Sequence, residues 1–205
     1  MRPPSLSSVL GRFDTLSLVP FLGRPWDMTL YGVRSRERRA GAWDDLIGVF
    51  FQDDENRVHH YTFQATTDPG AYWLEKLGNE DGTAILIADR QYRGFWEWGL
   101  HRGRYPALVQ RGQCAIVRDR NRDEVLDIEP LIAGGRILEG PRTLIGLNLH
   151  RAEEDGAASE VHSWSAGCQV VRLPWEFSAL RAILKMQERN GLGGRYSYAL
   201  LNEWR

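Results

Sequence analysis

Cysteine is scarce in this chain of 205 residues, which contains only Cys114 and Cys168. Two cysteines without paired spacing exclude a disulfide framework and a structural zinc site built on cysteine pairs. Cys114 precedes an apolar stretch and is expected to be a small core residue, because free cysteines are among the most buried residue types. Cys168 follows serine, alanine and glycine, and this context indicates a chemical role.

The chain also lacks net charge and long hydrophobic runs. Its 26 Lys and Arg against 27 Asp and Glu give a formal charge of −1, which provides no electrostatic basis for binding nucleic acid or an anionic membrane. No stretch is long enough to span a bilayer. The N-terminal segment is interrupted by Arg12 and Asp14, unlike the apolar region of a secretory signal. We therefore expect a protein that is cytoplasmic at synthesis, with no signal peptide and no membrane insertion.

Length and composition predict a single domain over residues 1–205, with an N-terminal appendage (1–27) and a β-rich core (28–205). Residues 5–18 are expected to form a short helix with Ser5 as its cap. Short runs rich in β-branched and aromatic residues alternate with turn residues, which is typical of strands. The predicted strands cover residues 46–52, 58–65, 82–87, 93–100, 107–110, 115–118, 125–128, 143–150, 168–173 and 196–201.

One long helix is predicted over residues 174–189. Pro174 suits its first turn, and apolar residues recur at helical spacing along it. The expected fold class is therefore mainly β, a sandwich or a mixed barrel, with one long C-terminal helix, and α+β overall.

A histidine precedes the second cysteine at a sequence spacing that could form a catalytic pair. His150 ends a predicted strand, fourteen residues follow, and the run from Ser165 to Cys168 begins the next strand. A cysteine nucleophile needs a base and backbone N–H groups that receive the developing oxyanion. We interpret Cys168 as the nucleophile and His150 as its base, with Gly167 allowing close backbone approach. Ser165 is expected to hold the loop or contact substrate, and the N–H groups of residues 166–168 to form the oxyanion hole.

The other histidines are weaker candidates for the base. His101 lies in a Gly-Leu-His-Arg-Gly stretch, and we expect it in the cleft, where it would bind a substrate carboxylate with Arg104. His162 and the pair at 59–60 are expected to be surface residues. No acidic residue stands out as a third catalytic member, so a backbone carbonyl is the alternative partner for the imidazole.

The spacing from His150 to Cys168 resembles the L,D-transpeptidase catalytic-domain family, in which His is followed by fourteen to seventeen residues and then Ser or Thr, any residue, Gly and Cys. The strand before His150 and, more loosely, residues 67–70 also look like that family. The chain departs from it at Ala166, where the family usually has His, and at Arg151, where it usually has Gly. The family often has Arg or Asn shortly after the cysteine, whereas in this chain residues 169–171 intervene before Arg172. The close resemblance covers residues 145–172.

The chain is also similar to phage- and prophage-encoded proteins of comparable length. The shared stretches are Thr-Thr-Asp-Pro-Gly, Gly-Leu-His-Arg-Gly-x-Tyr-Pro-Ala-Leu and Trp-Ser-Ala-Gly-Cys-Gln-Val, which occur here at 66–70, 99–108 and 164–170.

These resemblances imply a cysteine-dependent hydrolase of peptidoglycan stem peptides, of the phage endolysin kind, that acts through an acyl-enzyme on Cys168. Its partner would be bacterial peptidoglycan, with a holin-type membrane-opening protein for release, and it would act as a monomer without a cofactor or metal. His101, Arg104, Arg151 and Trp164 are the expected substrate-binding residues.

Two alternatives stay open. An L,D-transpeptidase that forms cross-links would share the first half-reaction. A non-catalytic glycan- or peptide-binding module, or a phage structural module, would instead present Trp96, Trp98 and Trp164 along a groove and leave Cys168 inert.

Overall fold

The computed structural model describes residues 1–204, and within that range the chain is mainly β with one long helix near its C-terminus. The elements in chain order are α1 (Leu6–Thr15), β1 (Thr29–Arg34), β2 (Asp45–Gln52), β3 (Val58–Thr66), α2 (Ala71–Glu75), β4 (Thr83–Leu86), β5 (Arg90–His101), β6 (Tyr105–Gln110), β7 (Ala115–Asp119), α3 (Ile128–Ala133), β8 (Leu138–Glu139), a 3₁₀ turn (Pro141–Thr143), β9 (Leu149–Arg151), β10 (Gln169–Val171), α4 (Pro174–Arg189) and β11 (Arg195–Asn202). This confirms the expected mainly β, α+β class.

The main sheet closes into a barrel in the order β1-β11-β5-β6-β9-β10-β3-β2, while β4, β7 and β8 form a separate three-stranded sheet. Two neighbouring pairs in the barrel are parallel, β9 with β10 and β1 with β11. The other pairs are antiparallel, including the predicted hairpin of β2 and β3. The parallel pair β9 and β10 places His150 beside the strand that follows Cys168.

Aromatic side chains occupy much of the core. Trp96 is fully buried, with its ring centroid 4.5 Å from that of Tyr198, and its Nε1 donates a hydrogen bond to the Leu147 carbonyl at 2.7 Å. This bond ties the segment before His150 to the core. It also means that Trp96 cannot line a surface groove, so that part of the binding-module alternative is wrong.

The N-terminal helix α1 packs against the barrel. Ser5 caps it, as predicted, by accepting a hydrogen bond from the Ser8 N–H. Phe13 is buried, with ring centroids 6.4 Å from Tyr31 and 5.7 Å from Phe50. No helix within residues 1–204 combines the length and the apolar character that a membrane span requires.

Two predicted strands are wrong. Residues 125–127 form no strand, and Ile128 instead begins the short helix α3. The second is the strand predicted over residues 143–150. There the side chain of Gln110, rather than a neighbouring strand, bonds to the backbone. Its Oε1 accepts three successive N–H groups, those of residues 145, 146 and 147, at 3.2, 2.9 and 2.9 Å. Gly146, at φ +83°, makes this tight turn possible.

This turn leaves only Leu149–Arg151 as strand β9. The side chains of this segment also do not alternate between a buried and an exposed face. Ile145 is exposed, while Leu149 and His150 are both buried.

Candidate active site

The parallel pairing of β9 and β10 brings the predicted base and nucleophile together. His150 is opposite Val170, so Cys168, two residues earlier, lies on the same side of the sheet as Val170. A ring nitrogen of His101, a ring nitrogen of His150 and Cys168 Sγ all lie within 4.8 Å of one another. The seventeen residues between His150 and Cys168 thus bring the two side chains into a compact site.

Backbone contacts fix the tautomer of His150. Its Nδ1 is 2.7 Å from the Arg151 carbonyl oxygen and 3.1 Å from the Tyr105 hydroxyl. Because a carbonyl only accepts hydrogen bonds, Nδ1 carries the hydrogen and Nε2 carries the lone pair. Nε2 is buried and has no hydrogen-bond partner within the described chain. His150 therefore offers an unoccupied proton acceptor, and a backbone carbonyl supplies the orientation that an acidic residue gives in other sites.

Cys168 lies in the wall of a cleft with 9% of its surface exposed. Its thiol donates to the Gly146 carbonyl at 3.4 Å and accepts from the Asn148 N–H at 3.5 Å. Burial raises the pKa of the thiol to about 11, although the Asn148 N–H opposes this shift. The resting thiol is therefore protonated near neutral pH.

The imidazole of His150 is also neutral at rest. Burial, followed by the neighbouring His101, lowers its pKa to about 3, although the hydrogen bond to Arg151 acts in the opposite direction. The pair is thus a neutral thiol beside a neutral imidazole, rather than a preformed thiolate–imidazolium pair. Proton transfer from the thiol to Nε2 would require the thiol to turn away from Gly146.

His101, the last residue of β5, stacks on His150 with ring centroids 4.0 Å apart and an angle of 27° between the rings. The Asn148 side-chain amide donates to His101 Nδ1 at 3.1 Å. Burial, and then the charge of Arg102, lowers the pKa of His101 to about 4. The expectation that His101 lies in the cleft agrees with this position, next to the nucleophile.

The side chain of Ser165 holds the loop before Cys168 in its conformation. Ser165 is fully buried, and its hydroxyl donates to the Cys168 carbonyl at 2.8 Å and accepts from the Gly167 N–H at 3.2 Å. Of the two roles expected for Ser165, it holds the loop and is too deeply buried to contact substrate.

The Gly167 N–H is therefore already bonded, which removes it from the expected oxyanion hole. The N–H groups of Ala166 and Cys168 form no hydrogen bond within residues 1–204. Gly167 itself is required for a reason other than substrate approach. At its φ of +113°, a Cβ would lie 2.3 Å from the Ala84 carbonyl oxygen.

The Thr-Asp-Pro-Gly stretch at residues 67–70 supports the loop before Cys168. The Gly70 N–H donates to the Ser165 carbonyl at 2.9 Å, and Trp73 Nε1 donates to the Ser163 carbonyl at 2.9 Å. A Cβ at Gly70 would lie 1.8 Å from the His162 carbonyl oxygen. Residues 67–70 do not line the cleft.

The cleft beside Cys168 has a volume of about 480 Å³. Its lining residues are Trp73, Gly78, Asn79, Gly82, Thr83, Ala84, His101, Arg102, Arg118, Ile145, Gly146, Leu147, Asn148, Ala166 and Cys168. Two arginines and no carboxylate lie in this lining, so the cleft favours an anionic ligand.

Three predicted substrate-binding residues lie outside the cleft lining. Arg104 is exposed in the β5–β6 turn, and the neighbouring Arg102 lines the cleft instead. The Arg151 guanidinium lies 4.5 Å from the Tyr105 ring centroid and pairs with Glu154. These three residues line a different pocket. Trp164 is 37% exposed.

The remaining histidines have partners of their own. His59 bonds to Asp53 at 2.8 Å, and His60 bonds to the Tyr31 hydroxyl at 2.6 Å. His162 packs against Tyr72 with ring centroids 5.0 Å apart. None of the three lines the cleft.

Several residues that hold the site residues in place or line the cleft were not identified from the sequence. Gln110 holds the turn before His150, Asn148 binds His101, and Tyr105 contacts His150. Arg118 comes from β7, outside the barrel. The only signal for Gln110 was a polar residue at the end of an apolar strand, because the N–H groups that its Oε1 accepts lie more than thirty residues away in sequence.

His101, His150 and Cys168 have the side-chain types that bind zinc. However, His101 Nδ1 already accepts the Asn148 hydrogen bond, so its other nitrogen carries a hydrogen rather than a lone pair. A metal ion would need His101 to change tautomer or release Asn148. The arrangement therefore fits an acid–base network better than a metal centre.

Comparisons with family models, with curated proteins and with solved structures found no match for this chain.

Proposed function

We propose that the protein is a cysteine-dependent hydrolase of peptidoglycan stem peptides, with an L,D-transpeptidase-like arrangement of its catalytic residues. The observation that carries this proposal is the His150–Cys168 pair. A carbonyl holds His150 Nδ1, Nε2 is left without a partner, and the thiol lies in the wall of an open cleft nearby. This is the arrangement of nucleophile, base and orienting group that acyl transfer requires.

In the first half-reaction, His150 Nε2 takes the thiol proton while Sγ attacks the carbonyl carbon of an amide bond. The N–H groups of Ala166 and Cys168 bind the oxyanion. His150 then gives the proton to the leaving amine, the C–N bond breaks, and an acyl thioester remains on Cys168. In the second half-reaction, His150 takes a proton from a water molecule, whose oxygen attacks the thioester carbonyl. The C–S bond breaks, the acid is released, and the imidazolium returns the proton to the Cys168 thiolate.

The charge of the cleft supports a stem-peptide substrate. Stem peptides of the bacterial wall carry free carboxylates, and Arg102 and Arg118 are the charged side chains in the lining. Arginine binds carboxylates through paired N–H donors. Arg118 is oriented by a hydrogen bond to the Gly82 carbonyl at 2.7 Å.

The same charge favours water over an amine as the acceptor. A transpeptidase must admit the amino group of a second stem, which is cationic in solution. Two arginines without a carboxylate in the lining disfavour that cation. Transpeptidation remains the second candidate because the first half-reaction is common to both. The endolysin assignment is supported by the resemblance to phage-encoded proteins.

The test is digestion of purified peptidoglycan followed by mass spectrometry of the soluble fragments. Wild-type protein should release shortened stem peptides, and Cys168→Ala should release none. Cys114→Ala is the matched control, because Cys114 is also a buried free thiol but is outside the cleft lining. Fragments that are joined rather than shortened would support transpeptidation. Absence of any wild-type product, or equal products from Cys168→Ala, would reject the proposal.

A further inference from the structure

A hydrogen-bond chain sets the orientation of the Asn148 amide. Asn148 Oδ1 accepts the backbone N–H of Gln110 at 3.0 Å. Because an N–H donor must face oxygen, the amide cannot be flipped, and Nδ2 points to His101. Asn148 is itself buried, so this contact is shielded from exchange with water.

The Asn148 amide in turn sets the tautomer of His101. Nδ2 can only donate, and it lies 3.1 Å from His101 Nδ1. Nδ1 therefore carries the lone pair and Nε2 carries the hydrogen. His101 Nε2 makes no hydrogen bond within residues 1–204, and His101 lines the cleft with Cys168. A neutral imidazole with a free N–H group thus lies beside the nucleophile.

We propose that His101 is a further catalytic residue, which donates its Nε2 hydrogen bond to the carbonyl oxygen of the scissile amide as negative charge develops there. This inference rests on the proposed function. His101 keeps its proton throughout and acts as an electrophile, whereas His150 transfers the proton between sulfur, leaving amine and water. The two stacked rings therefore perform complementary tasks: one accepts a proton, and the other stabilises charge.

The distances suit this role. An oxyanion donor lies roughly 2.7–3.1 Å from the oxygen, so a donor to an oxygen whose carbon is bonded to sulfur lies on the order of 4–5 Å from that sulfur. A ring nitrogen of His101 is within 4.8 Å of Cys168 Sγ. Burial also keeps His101 neutral, since it lowers the pKa to about 4. The stacked pair thus avoids two adjacent positive charges when His150 is protonated.

A further hydrogen-bond donor would also compensate for a backbone N–H group that the loop before Cys168 does not offer. The Gly167 N–H is bonded to Ser165 and cannot reach an oxyanion. The imidazole N–H of His101, the last residue of β5, would supply a donor in addition to the N–H groups of Ala166 and Cys168. Removing one such donor costs about 10²–10³ in kcat in enzymes that use them.

The experiment compares three variants with wild type on a purified stem-peptide substrate, with kcat and KM measured separately. His101→Phe keeps a stacking ring but has no N–H, and it should lower kcat by about 10²-fold with little change in KM. His101→Gln keeps an amide N–H at a similar reach and should recover part of that loss. His60→Phe is the control histidine, because it is outside the cleft, and it should keep the wild-type kcat.

Asn148→Asp provides an independent test, because it changes the tautomer and not the imidazole. A carboxylate at 148 can still accept the Gln110 N–H but now accepts from His101 Nδ1, which leaves Nε2 without a hydrogen when the ring is neutral. The variant should be slow at alkaline pH and recover at acid pH, where a second proton restores the Nε2–H. A purely structural role would lower the melting temperature without producing this pH profile.

The outcomes separate this inference from the proposed function. Wild-type activity that Cys168→Ala abolishes, together with a His101→Phe kcat within about threefold of wild type, would overturn the role of His101 alone. So would an Asn148→Asp profile parallel to that of wild type. If wild type and Cys168→Ala are equally inactive, the proposed function itself fails, and the role of His101 fails with it.

Discussion

The stacked rings of His150 and His101, 4.0 Å apart, carry opposite tautomers. The Arg151 carbonyl draws the hydrogen of His150 to Nδ1, while the Asn148 amide leaves that of His101 on Nε2. One ring therefore presents a lone pair, and the other presents a hydrogen. Because both rings are neutral near physiological pH, the site can accept a proton from the thiol without first expelling a charge.

Replacing His150 should remove most of the activity without unfolding the protein. We expect His150→Gln to lower kcat by about 10²–10⁴-fold, because the thiol loses its proton acceptor. Tyr105→Phe should cost less than about tenfold, since the Arg151 carbonyl still holds Nδ1 at 2.7 Å. Steady-state kinetics on stem peptides, with thermal melting as the folding check, would test this. Equal losses in the two variants would contradict the assignment of the base.

Arg102 should contribute to substrate binding more than its neighbour Arg104. Arg102→Ala is expected to raise KM about tenfold, because a hydrogen bond to a carboxylate in a partly open cleft is lost. Arg104→Ala is the matched control on the same turn, outside the lining, and its KM should stay near the wild-type value. KM values measured at low and high salt would check this, since salt screens the attraction. The opposite ranking of the two variants would refute the placement of the substrate.

Ser165 should matter for stability as well as for activity. Ser165→Ala removes a hydroxyl that bonds both to the Cys168 carbonyl and to the Gly167 N–H. The expected loss is about 1–3 kcal/mol in the free energy of unfolding, because both buried groups are left without this partner. Ser163→Ala, on the exposed part of the same loop, should change it by less than about 0.5 kcal/mol. Urea denaturation measures both, and equal effects would argue against the loop-holding role.

A buried carboxyl cluster should make the protein less stable as the pH rises from about 4 to 7. Burial, and then the charge of Asp68, raises the pKa of Asp45 to about 7, although N–H groups of Ser35 and Thr67 oppose the shift. The buried Arg34 pairs with Asp68 at 2.8 Å. A carboxyl whose folded-state pKa is raised binds its proton more tightly when folded. Its stabilising contribution is therefore complete below the unfolded-state pKa and is lost as pH rises through the folded-state value.

This dependence can be isolated by substitution. Wild type should lose up to about 1.4 kcal/mol per pH unit from this group between pH 5 and 7. Asp45→Asn should remove that slope, whatever its absolute stability. Chemical denaturation at several pH values gives the two slopes, and parallel curves would show that Asp45 does not titrate in this range.

Local patterns predicted the elements that depend on nearby residues. The helix over 174–189 was predicted with its observed bounds, because Pro174 and an apolar stripe define it within one segment. The His150–Cys168 pair was also predictable, since a loop between adjacent strands brings its ends together. The placement of Cys168 next to His150 therefore needed only the spacing of a short motif.

Features that depend on barrel closure were not predictable. The sequence predicted His101 in the cleft, but its stacking on His150 depends on β5, β6 and β9 being neighbours in the barrel, and no local signal contains that order. The strand predicted over residues 143–150 was wrong for the same reason, since it depends on a residue that is distant in sequence. Alternating apolar residues favour a strand there, but the side chain of Gln110 binds three successive N–H groups and turns the chain. Arg104 and Arg102 were likewise indistinguishable until the turn was placed.

The most direct test of the central claim is to trap the acyl-enzyme with hydroxylamine during stem-peptide cleavage. If Cys168 forms a thioester, hydroxylamine should compete with water and convert part of the product to a hydroxamate. The yield should rise with hydroxylamine concentration, and Cys168→Ala should form neither product. Cleavage that gives only the carboxylic acid at every hydroxylamine concentration, and that persists in Cys168→Ala, would contradict the account.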